Sequence, residues 1–320
     1  ALSGDFAKDV ISFILIVGLT IVNIFGVNVS KFVNNLITIS KLVPLALFIA
    51  IGIFSINGAN FTPVFPQDVY IDGSFAQAAV LLFFAYTGFE VIAIAAEDMK
   101  NPKKNLPRAI IMCMLLVSVL YMAILAVSIG VLGTDLANTK APVQDAFNVI
   151  VGPIGMYIVL VGTLISMGGI NFAEAYYAPR VATSMAEDGM LPSALAKRNR
   201  YNAPYVAAIV TAIASVLLAW SGSFTTLAAI SAVSRFTQYL PTCLAVVIFR
   251  RKWADKARSY TIPGGYLIPV IAIGTSLWML AQAQTNQLLW GLGGCIVILP
   301  FYYSYWKKKR SGLIKDHDEM

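Results

Sequence analysis

The chain has 320 residues, of which 58% are hydrophobic and only 12% are charged. Soluble domains carry about 25% charged residues, so this composition excludes an ordinary soluble domain and indicates a chain embedded in a membrane. The formal net charge of +7 could suit a nucleic-acid partner, but the placement of the basic residues argues for membrane topology instead.

Apolar stretches that can cross a bilayer recur along the whole chain. A membrane-spanning helix needs about 20 mainly apolar residues to cross roughly 30 Å of hydrocarbon. Nine stretches qualify, the sixth being the shortest, and Gly, Pro and Asn separate them. The sequence therefore predicts an all-α integral membrane protein with nine spans. The predicted spans are 10–29, 36–56, 75–96, 109–132, 154–178, 204–220, 224–249, 266–284 and 288–306.

The basic residues give these spans an orientation. All but four of the 23 Lys and Arg residues lie in alternate loops and in the segment 307–320. The positive-inside rule places that side in the cytoplasm, so 307–320 is predicted to be a cytoplasmic tail. We expect residues 1–320 to form one multi-pass domain of the plasma membrane. The four exceptions are Lys8 and Lys140 in the opposite loops and Lys41 and Arg235 inside spans.

The beginning of the chain conflicts with this orientation. Nine spans and a cytoplasmic C-terminus place the first residue outside the cell. The sequence nevertheless begins Ala-Leu-Ser-Gly-Asp, with neither an initiator Met nor a signal peptide. We therefore expect a fragment that follows an odd number of further spans and that does not transport on its own.

Residues that hold metals or act as nucleophiles form no pattern in this sequence. Cys113, Cys243 and Cys295 are far apart in apolar stretches, and the single histidine, His317, lies in the tail. Their spacing matches neither a metal site nor a disulfide framework, and no nucleophile–base pair is recognisable. We expect no enzyme activity, no metal, no cofactor and no nucleic-acid partner.

Four ionisable residues lie within the predicted spans: Lys41, Glu90, Glu174 and Arg235. Such residues are costly in a membrane, so each is a functional candidate by default, although structural pairing explains them equally well. Arg235 is too deep in its span to reach an interface, so we predict an acidic partner, either Glu174 or Glu90. Lys41 lies five residues past Leu36 and could instead extend to the cytoplasmic interface.

The segment 83–90, Phe-Phe-Ala-Tyr-Thr-Gly-Phe-Glu, contains a candidate helix break at Gly88. A transporter would use such a break to expose backbone N–H and C=O groups to a polar substrate. The alternative is that Gly88 lets two helices approach closely. The segment Ser166-Met167-Gly168-Gly169 in the fifth span allows the same two interpretations.

Two longer segments resemble a known family. The run FFAYTGFEVIAIAAEDMKNPKKNLPRAI at 83–110 resembles the sixth helix and following loop of amino acid permeases in the amino acid–polyamine–organocation superfamily. The segment PRVATSMAEDGMLP at 179–192 resembles the loop after their eighth helix. The resemblance covers essentially the whole chain. It implies a leucine-transporter-like bundle with two inverted repeats, of which these nine spans correspond to helices four to twelve and the first three are missing.

The resemblance also implies roles for individual residues. Phe84 matches an aromatic gate, residues 85–88 match unwound backbone, and Glu90 matches an acid found in several members. Glu174 lies near a position that is Trp in the arginine/agmatine antiporter, and it is also a candidate ion-pair partner of Arg235. Lys41 matches a Lys that replaces the sodium ion in proton-coupled permeases. The substrate-binding or gating candidates are therefore Phe84, Ala85, Tyr86, Thr87, Gly88, Glu90 and Glu174.

The leading functional hypothesis is a secondary active transporter of amino acids, working by proton-coupled symport or by exchange. Its partners would be an amino acid, protons and membrane lipid. A polyamine or organic-cation carrier is the alternative if Glu90 and Glu174 both face the substrate. A channel or a structural membrane subunit is a different class, and the absence of a repeated filter loop or charged ring in the sequence argues against a channel. The identity of the amino acid and the oligomeric state are left open.

Overall fold

The structure, a computed structural model, describes residues 4–25, 31–62, 74–90, 92, 99–222, 224–256, 258 and 260–310. The regular elements within these ranges are all helical. The ten α-helices are α1 (Gly4–Ile24), α2 (Lys31–Gly52), α3 (Ser74–Ala85), α4 (Pro102–Leu132), α5 (Pro142–Val151), α6 (Pro153–Glu187), α7 (Tyr205–Ser221), α8 (Phe224–Lys252), α9 (Leu267–Gln282) and α10 (Thr285–Arg310).

Six stretches within the described ranges are long and apolar enough to cross a membrane, and this is the architecture of an all-helical multi-pass membrane protein. They coincide with the first, second, fourth, fifth, seventh and ninth predicted spans. The third, sixth and eighth predicted spans correspond to shorter apolar helices, Phe75–Ala85, Tyr205–Ser221 and Leu267–Gln282. The crossing of these three stays a prediction. The six longer stretches are Phe6–Ile24, Asn35–Ser55, Pro102–Asn138, Pro153–Glu187, Phe224–Lys252 and Thr285–Lys307.

The structure differs from the predicted spans in several places. Helix α6 continues to Glu187, nine residues beyond the predicted end at 178. The predicted third span, 75–96, is α-helical only as far as Ala85, and residues 91 and 93–98 lie outside the described ranges. Helix α5 occupies a predicted loop; it has 10 residues, about 15 Å, which is too short for a span. Helix α4 begins at Pro102, seven residues earlier than predicted, because proline is favoured in the first turn of a helix. Of the predicted tail, 307–310 continue α10, and 311–320 lie outside the described ranges.

The chain divides into two compact units. The first contains the described residues of Ala1–Val64, Met122–Gly222 and Pro300–Met320. Its core includes Phe48 of α2 and Phe147 of α5, whose ring centroids are 5.6 Å apart. Helix α1 lies beside α7, where the Trp220 Nε1–H donates to the Asp9 carbonyl at 3.2 Å. Helices α1, α2, α5 and α7 each also pack against the long helix α6.

Glycines bring α2 and α6 close together in the first unit. A Cβ added at Gly162 would lie 2.5 Å from Pro44 Cγ, and one added at Gly169 would lie 2.4 Å from Ile37 Cγ2. Such distances leave no room for a side chain. Small residues at helix interfaces are a common means of close packing in membranes.

The second unit contains the described residues of Phe65–Tyr121 and Ser223–Leu299. Helix α3 packs against α8 through Val80, Ala229 and Ala232, which are almost completely buried. Ala229 and Ala232 are three residues apart and therefore lie on one face of α8. Because these alanines are small, the end of α3 lies close to the middle of α8. This contact places the residues that follow α3 beside α8.

Candidate functional site

Helix α3 ends in a turn that contains the predicted break. The N–H of Tyr86 donates to the Phe83 carbonyl at 3.0 Å, and the N–H of Thr87 donates to the Phe84 carbonyl at 3.1 Å. These bonds span three residues rather than four, which tightens the last turn before the chain leaves the helix. Gly88 follows with φ of 105°, in the region that favours glycine.

The carboxylate of Glu90 folds back onto this turn. Its Oε2 accepts hydrogen bonds from the Gly88 N–H at 2.9 Å and from the Tyr239 hydroxyl at 3.1 Å. Its Oε1 accepts a hydrogen bond from Arg235 Nη1, which completes an ion pair. The Glu90 side chain is 13% exposed and that of Arg235 is 34% exposed. Three donors among the described residues thus hold the carboxylate, and the guanidinium carries N–H groups beyond the one that Glu90 accepts.

Helix α8 supplies both side chains that hold Glu90. Arg235 and Tyr239 are four residues apart, so they lie one turn apart on the same face. Aromatic rings surround them: Phe83 stacks on Phe236 with centroids 4.8 Å apart, and Phe89 stacks on Tyr239 at 5.7 Å. These ring contacts pack the end of α3 and the following turn against α8.

A second tyrosine anchors the end of α3. The Tyr121 hydroxyl of α4 donates to the Ala85 carbonyl at 3.0 Å, and its ring contacts the Tyr86 ring edge-on at 5.3 Å. The last carbonyls of a helix have no partner within the helix, so this bond satisfies a group that the interruption exposes. Thr87 Oγ1 likewise donates to the Phe84 carbonyl at 2.7 Å.

The structure brings three of the sequence-predicted residues together: Gly88, Glu90 and Arg235. Arg235 pairs with Glu90, one of the two partners considered, while its pairing with Glu174 stays a prediction. The Phe84 ring does not join this cluster directly; it contacts Phe224 with centroids 6.1 Å apart. The three residues thus form a neutral, hydrogen-bonded cluster beside a helix end.

Two other predicted residues, Lys41 and Glu174, lie in the first unit. Lys41 is partly exposed and shares one stripe of α2 with Ile37, Pro44 and Phe48. Neither a hydrogen bond nor an ion pair joins Lys41 to any of the described residues. Glu174 is exposed on α6. Their predicted roles in coupling and substrate contact stay predictions.

Sequence reasoning included Tyr86 but missed Tyr121 and Tyr239. The spacing of Arg235 and Tyr239 on one helix face was a usable signal for Tyr239. No comparable signal pointed to Tyr121, because its contact with Ala85 joins residues far apart in sequence. Among the described residues, no group of three His, Cys, Asp or Glu is placed to hold a metal ion.

Comparison with known proteins identifies the family. The model of the family described as amino acid permease matches residues 3–305. The branched-chain amino acid permease BcaP of Bacillus subtilis is 28% identical over 96% of this chain and 66% of its own length. The methylthioribose transporter of the same organism is 29% identical over 88% of this chain and 61% of its own length.

A third relative, the serine/threonine exchanger SteT of Bacillus subtilis, is 29% identical over 96% of this chain and 72% of its own length. The chain therefore spans between 61% and 72% of the length of these three relatives. The family match confirms the resemblance seen in 83–110 and 179–192, and the family and these relatives are named as permeases, transporters or exchangers rather than as enzymes. This chain belongs to the amino acid permease family.

Proposed function

We propose that this protein is a secondary active transporter of amino acids in the plasma membrane. The observation that carries the proposal is the Glu90–Arg235 pair at the interrupted end of α3, in a chain of the amino acid permease family. Two of its relatives are named as an amino acid permease and an amino acid exchanger. The proposed architecture is a leucine-transporter-like bundle in which all nine predicted spans cross and the C-terminus is cytoplasmic.

The turn after α3 is the proposed substrate contact. Helix interruptions near the middle of a membrane present backbone N–H and C=O groups to polar substrate groups. The N–H groups of Arg235 that Glu90 does not use are suited to a substrate carboxylate. In this proposal the aromatic rings gate access. The contacting segment is Phe84, Ala85, Tyr86, Thr87 and Gly88, with Glu174 as a further candidate.

The charge of the site favours a neutral amino acid over a polyamine. Glu90 is the acid nearest the turn, and Arg235 already neutralises it. A polyamine would have to displace Arg235 from Glu90 in order to gain a carboxylate partner. A zwitterionic amino acid presents both charges and can be accommodated without separating the pair. Exchange and proton-coupled symport are both compatible with this substrate class.

Lys41 is the proposed proton-coupling residue. It lies on the stripe of α2 that includes Pro44, which faces Gly162 of α6, so a change in its charge would act at a closely packed helix interface. An amine that releases and regains a proton can replace a bound and released sodium ion. The alternative is that Lys41 only extends to the interface with water.

Uptake by the full gene product in proteoliposomes tests the substrate proposal. We expect saturable uptake of neutral amino acids, with putrescine a poor competitor. Glu90→Gln should reduce uptake at least tenfold, because it removes the anion that holds Arg235 beside the turn. Glu187→Gln is the matched control, since Glu187 pairs with Arg198 at 2.9 Å but is 48% exposed. Absence of uptake, or equal activity of Glu90→Gln and Glu187→Gln, would refute the proposal.

An imposed pH gradient tests the coupling proposal. Lys41→Ala should leave substrate binding measurable while abolishing the dependence of uptake on the gradient. Lys140→Ala is the control, since Lys140 is exposed and lies outside the six long apolar stretches. If the Lys41→Ala variant concentrates substrate with the same pH dependence as the parent protein, Lys41 is not the coupling residue. Lys41 would then only extend to the interface with water.

A further inference from the structure

An apolar groove of about 410 Å³ runs between α1 and α7 in the first unit. Its lining includes Phe13, Ile21 and Ile24 of α1 and Ile213 and Leu217 of α7. The polar groups of the lining are occupied: the Thr20 hydroxyl donates to the Ile16 carbonyl at 2.7 Å, and the Trp220 Nε1–H donates to the Asp9 carbonyl at 3.2 Å. The groove thus presents hydrocarbon to its occupant along its whole length.

The length of the groove matches one leaflet of a bilayer. From Phe13 to Ile24 the helix advances by eleven residues, about 16 Å. The hydrocarbon core of a bilayer is about 30 Å thick, so one leaflet contributes roughly 15 Å. At one end of the groove the Phe13 and Trp220 rings lie 6.1 Å apart. A single acyl chain can therefore lie in the groove along its full length.

The other end of the groove carries an ordered basic loop. Asn199 Nδ2 donates to the Ile24 carbonyl at 2.7 Å and thereby fixes the loop to the last turn of α1. Asn199 Oδ1 accepts the N–H groups of Tyr201 and Ala203, both at 3.0 Å. The Tyr201 ring contacts the Phe25 ring at 5.9 Å, and the Arg200 guanidinium lies 4.8 Å from the centre of the Tyr201 ring.

The basic side chains of this loop differ in their availability. Arg198 forms an ion pair with Glu187 at 2.9 Å, so its charge is already neutralised. Lys197 and Arg200 are exposed at the same end of the groove, each next to an anchored residue of the loop. Two cations at the mouth of an apolar groove complement a phosphate attached to an acyl chain.

We propose that the α1–α7 groove binds an anionic phospholipid, with one acyl chain in the groove and the phosphate at Lys197 and Arg200. Basic residues beside membrane-spanning helices attract anionic headgroups. A second copy of this chain or a partner helix would also bury the apolar lining, but neither needs cations at one end. The proposal concerns lipid binding and does not depend on which solute the protein transports.

Native mass spectrometry of the purified protein, titrated with phosphatidylglycerol or phosphatidylcholine, tests the headgroup contact. We expect tighter binding of phosphatidylglycerol. Replacing Lys197 and Arg200 together with Ala should weaken it about 25-fold, at roughly fivefold per cation, and leave phosphatidylcholine binding unchanged. The control replaces Arg251 and Lys252 with Ala, since both are exposed cations at the end of α8. Equal binding of both lipids that the loop variant does not change would overturn the proposal.

A second set of variants tests the groove itself. Ala212→Phe fills the groove and should weaken binding of both lipids. Ala214 is exposed outside the groove, so Ala214→Phe should not weaken it.

Fluorescence quenching tests the same contact in protein whose basic loop is unchanged. Brominated phosphatidylglycerol should quench the tryptophan fluorescence of the parent protein more than that of the Trp220→Phe variant. If Ile213→Cys instead cross-links two copies of the chain and no such quenching occurs, a second copy occupies the groove and the lipid proposal fails.

Discussion

The carboxylate of Glu90 gains its three hydrogen bonds from residues that are close to it in sequence and from residues almost 150 positions away. A buried ion pair contributes little net stability compared with an apolar pair, yet loss of one partner leaves an uncompensated charge and is strongly destabilising. The Arg235 side chain is partly exposed, so water solvates an unpaired Arg235 cation better than it solvates an unpaired Glu90 carboxylate. Coupling between the two residues is therefore the quantity to measure.

Single substitutions at Glu90 and Arg235 are expected to destabilise the protein more than their combination does. Glu90→Gln leaves the Arg235 cation with a neutral partner, and Arg235→Gln removes the cation beside Glu90 while the neutral Gly88 N–H and Tyr239 hydroxyl stay in place. The double variant removes both charges. We expect a coupling free energy of about 1–3 kcal/mol, measured from thermal unfolding in detergent.

The exposed pair of Glu187 and Arg198 is the control for this cycle. Its side chains are 48% and 43% exposed, respectively, and surface pairs contribute about 0–1 kcal/mol. A coupling at Glu90–Arg235 no larger than that of the surface pair would contradict the proposed importance of this partly buried contact. Rescue of Arg235→Glu by Glu90→Arg would further support direct pairing.

Gly88→Ala is expected to destabilise the turn through backbone strain alone. A Cβ at Gly88 would meet nothing within 4 Å, but φ is 105°. Left-handed backbone costs an L-residue about 1–2 kcal/mol, so we expect a loss of that size in thermal unfolding experiments. Gly274→Ala in α9, which also meets nothing within 4 Å, is the control and should be neutral or stabilising. Equal stability of the two variants would show that the turn tolerates a side chain.

Sequence patterns predicted the residues of the turn but not all of their contacts. A glycine among aromatic residues indicated the break, and the cost of charge in a membrane indicated that Arg235 has an acidic partner. The choice between Glu90 and Glu174 depends on which helices are neighbours, and hydrophobic periodicity does not contain that information. The same holds for the contact of Tyr121 with Ala85.

At the scale of elements, the packing of α2 on α6 depends on glycine. A Cβ at Gly162 would lie 2.5 Å from Pro44 Cγ and 2.9 Å from the Ser40 carbonyl oxygen. A proline ring and a backbone oxygen cannot move as a flexible side chain can. Overpacking costs about 1–3 kcal/mol, so Gly162→Ala should lower the thermal unfolding temperature even after the gain in helix propensity.

Gly168→Ala provides the matched control on the same helix. A Cβ at Gly168 would meet nothing within 4 Å, so only the helix-propensity gain of about 0.8–1 kcal/mol applies. The two variants should therefore shift stability in opposite directions. Stabilisation by Gly162→Ala would contradict the close approach of α2 and α6.

The positions of the elements were largely predictable because long apolar runs have few alternatives to a membrane helix. All six of the long helical stretches begin within about seven residues of a predicted span. Helix α5 was not predictable in the same way. Its 10 residues begin at a proline and are followed by a glycine, and such a short segment is equally typical of a loop. The early end of α3 reflects the local turn geometry at Gly88. The hydrophobicity of the segment does not predict that geometry.

At the scale of the whole molecule, the nine-span topology depends on whether the three shorter apolar helices cross the membrane, and α7 is one of them. It has 17 residues, about 25 Å, against a hydrocarbon core of about 30 Å. A short helix can still cross if the bilayer thins locally, at a modest energetic cost. The alternation of basic loops requires α7 to cross, whereas its length alone does not.

Cysteine labelling from the two sides of the membrane separates these possibilities. Single cysteines at Lys104, Lys140 and Arg251, all of them exposed, are introduced into protein whose three native cysteines are replaced by Ser. Lys104 and Lys140 flank α4 and should label from opposite sides. Between Lys140 and Arg251 the chain contains α5, whose 10 residues are too short to cross, and then α6, α7 and α8, of 35, 17 and 29 residues.

If α7 crosses, three crossings separate Lys140 from Arg251, and Arg251 labels from the same side as Lys104. If α7 does not cross, only α6 and α8 do, and Arg251 labels from the same side as Lys140. We expect the first result, because it keeps the basic residues at 250–258 on the side of those at 100–108, as the positive-inside rule requires. Labelling of Arg251→Cys and Lys140→Cys from one side would exclude the nine-span topology.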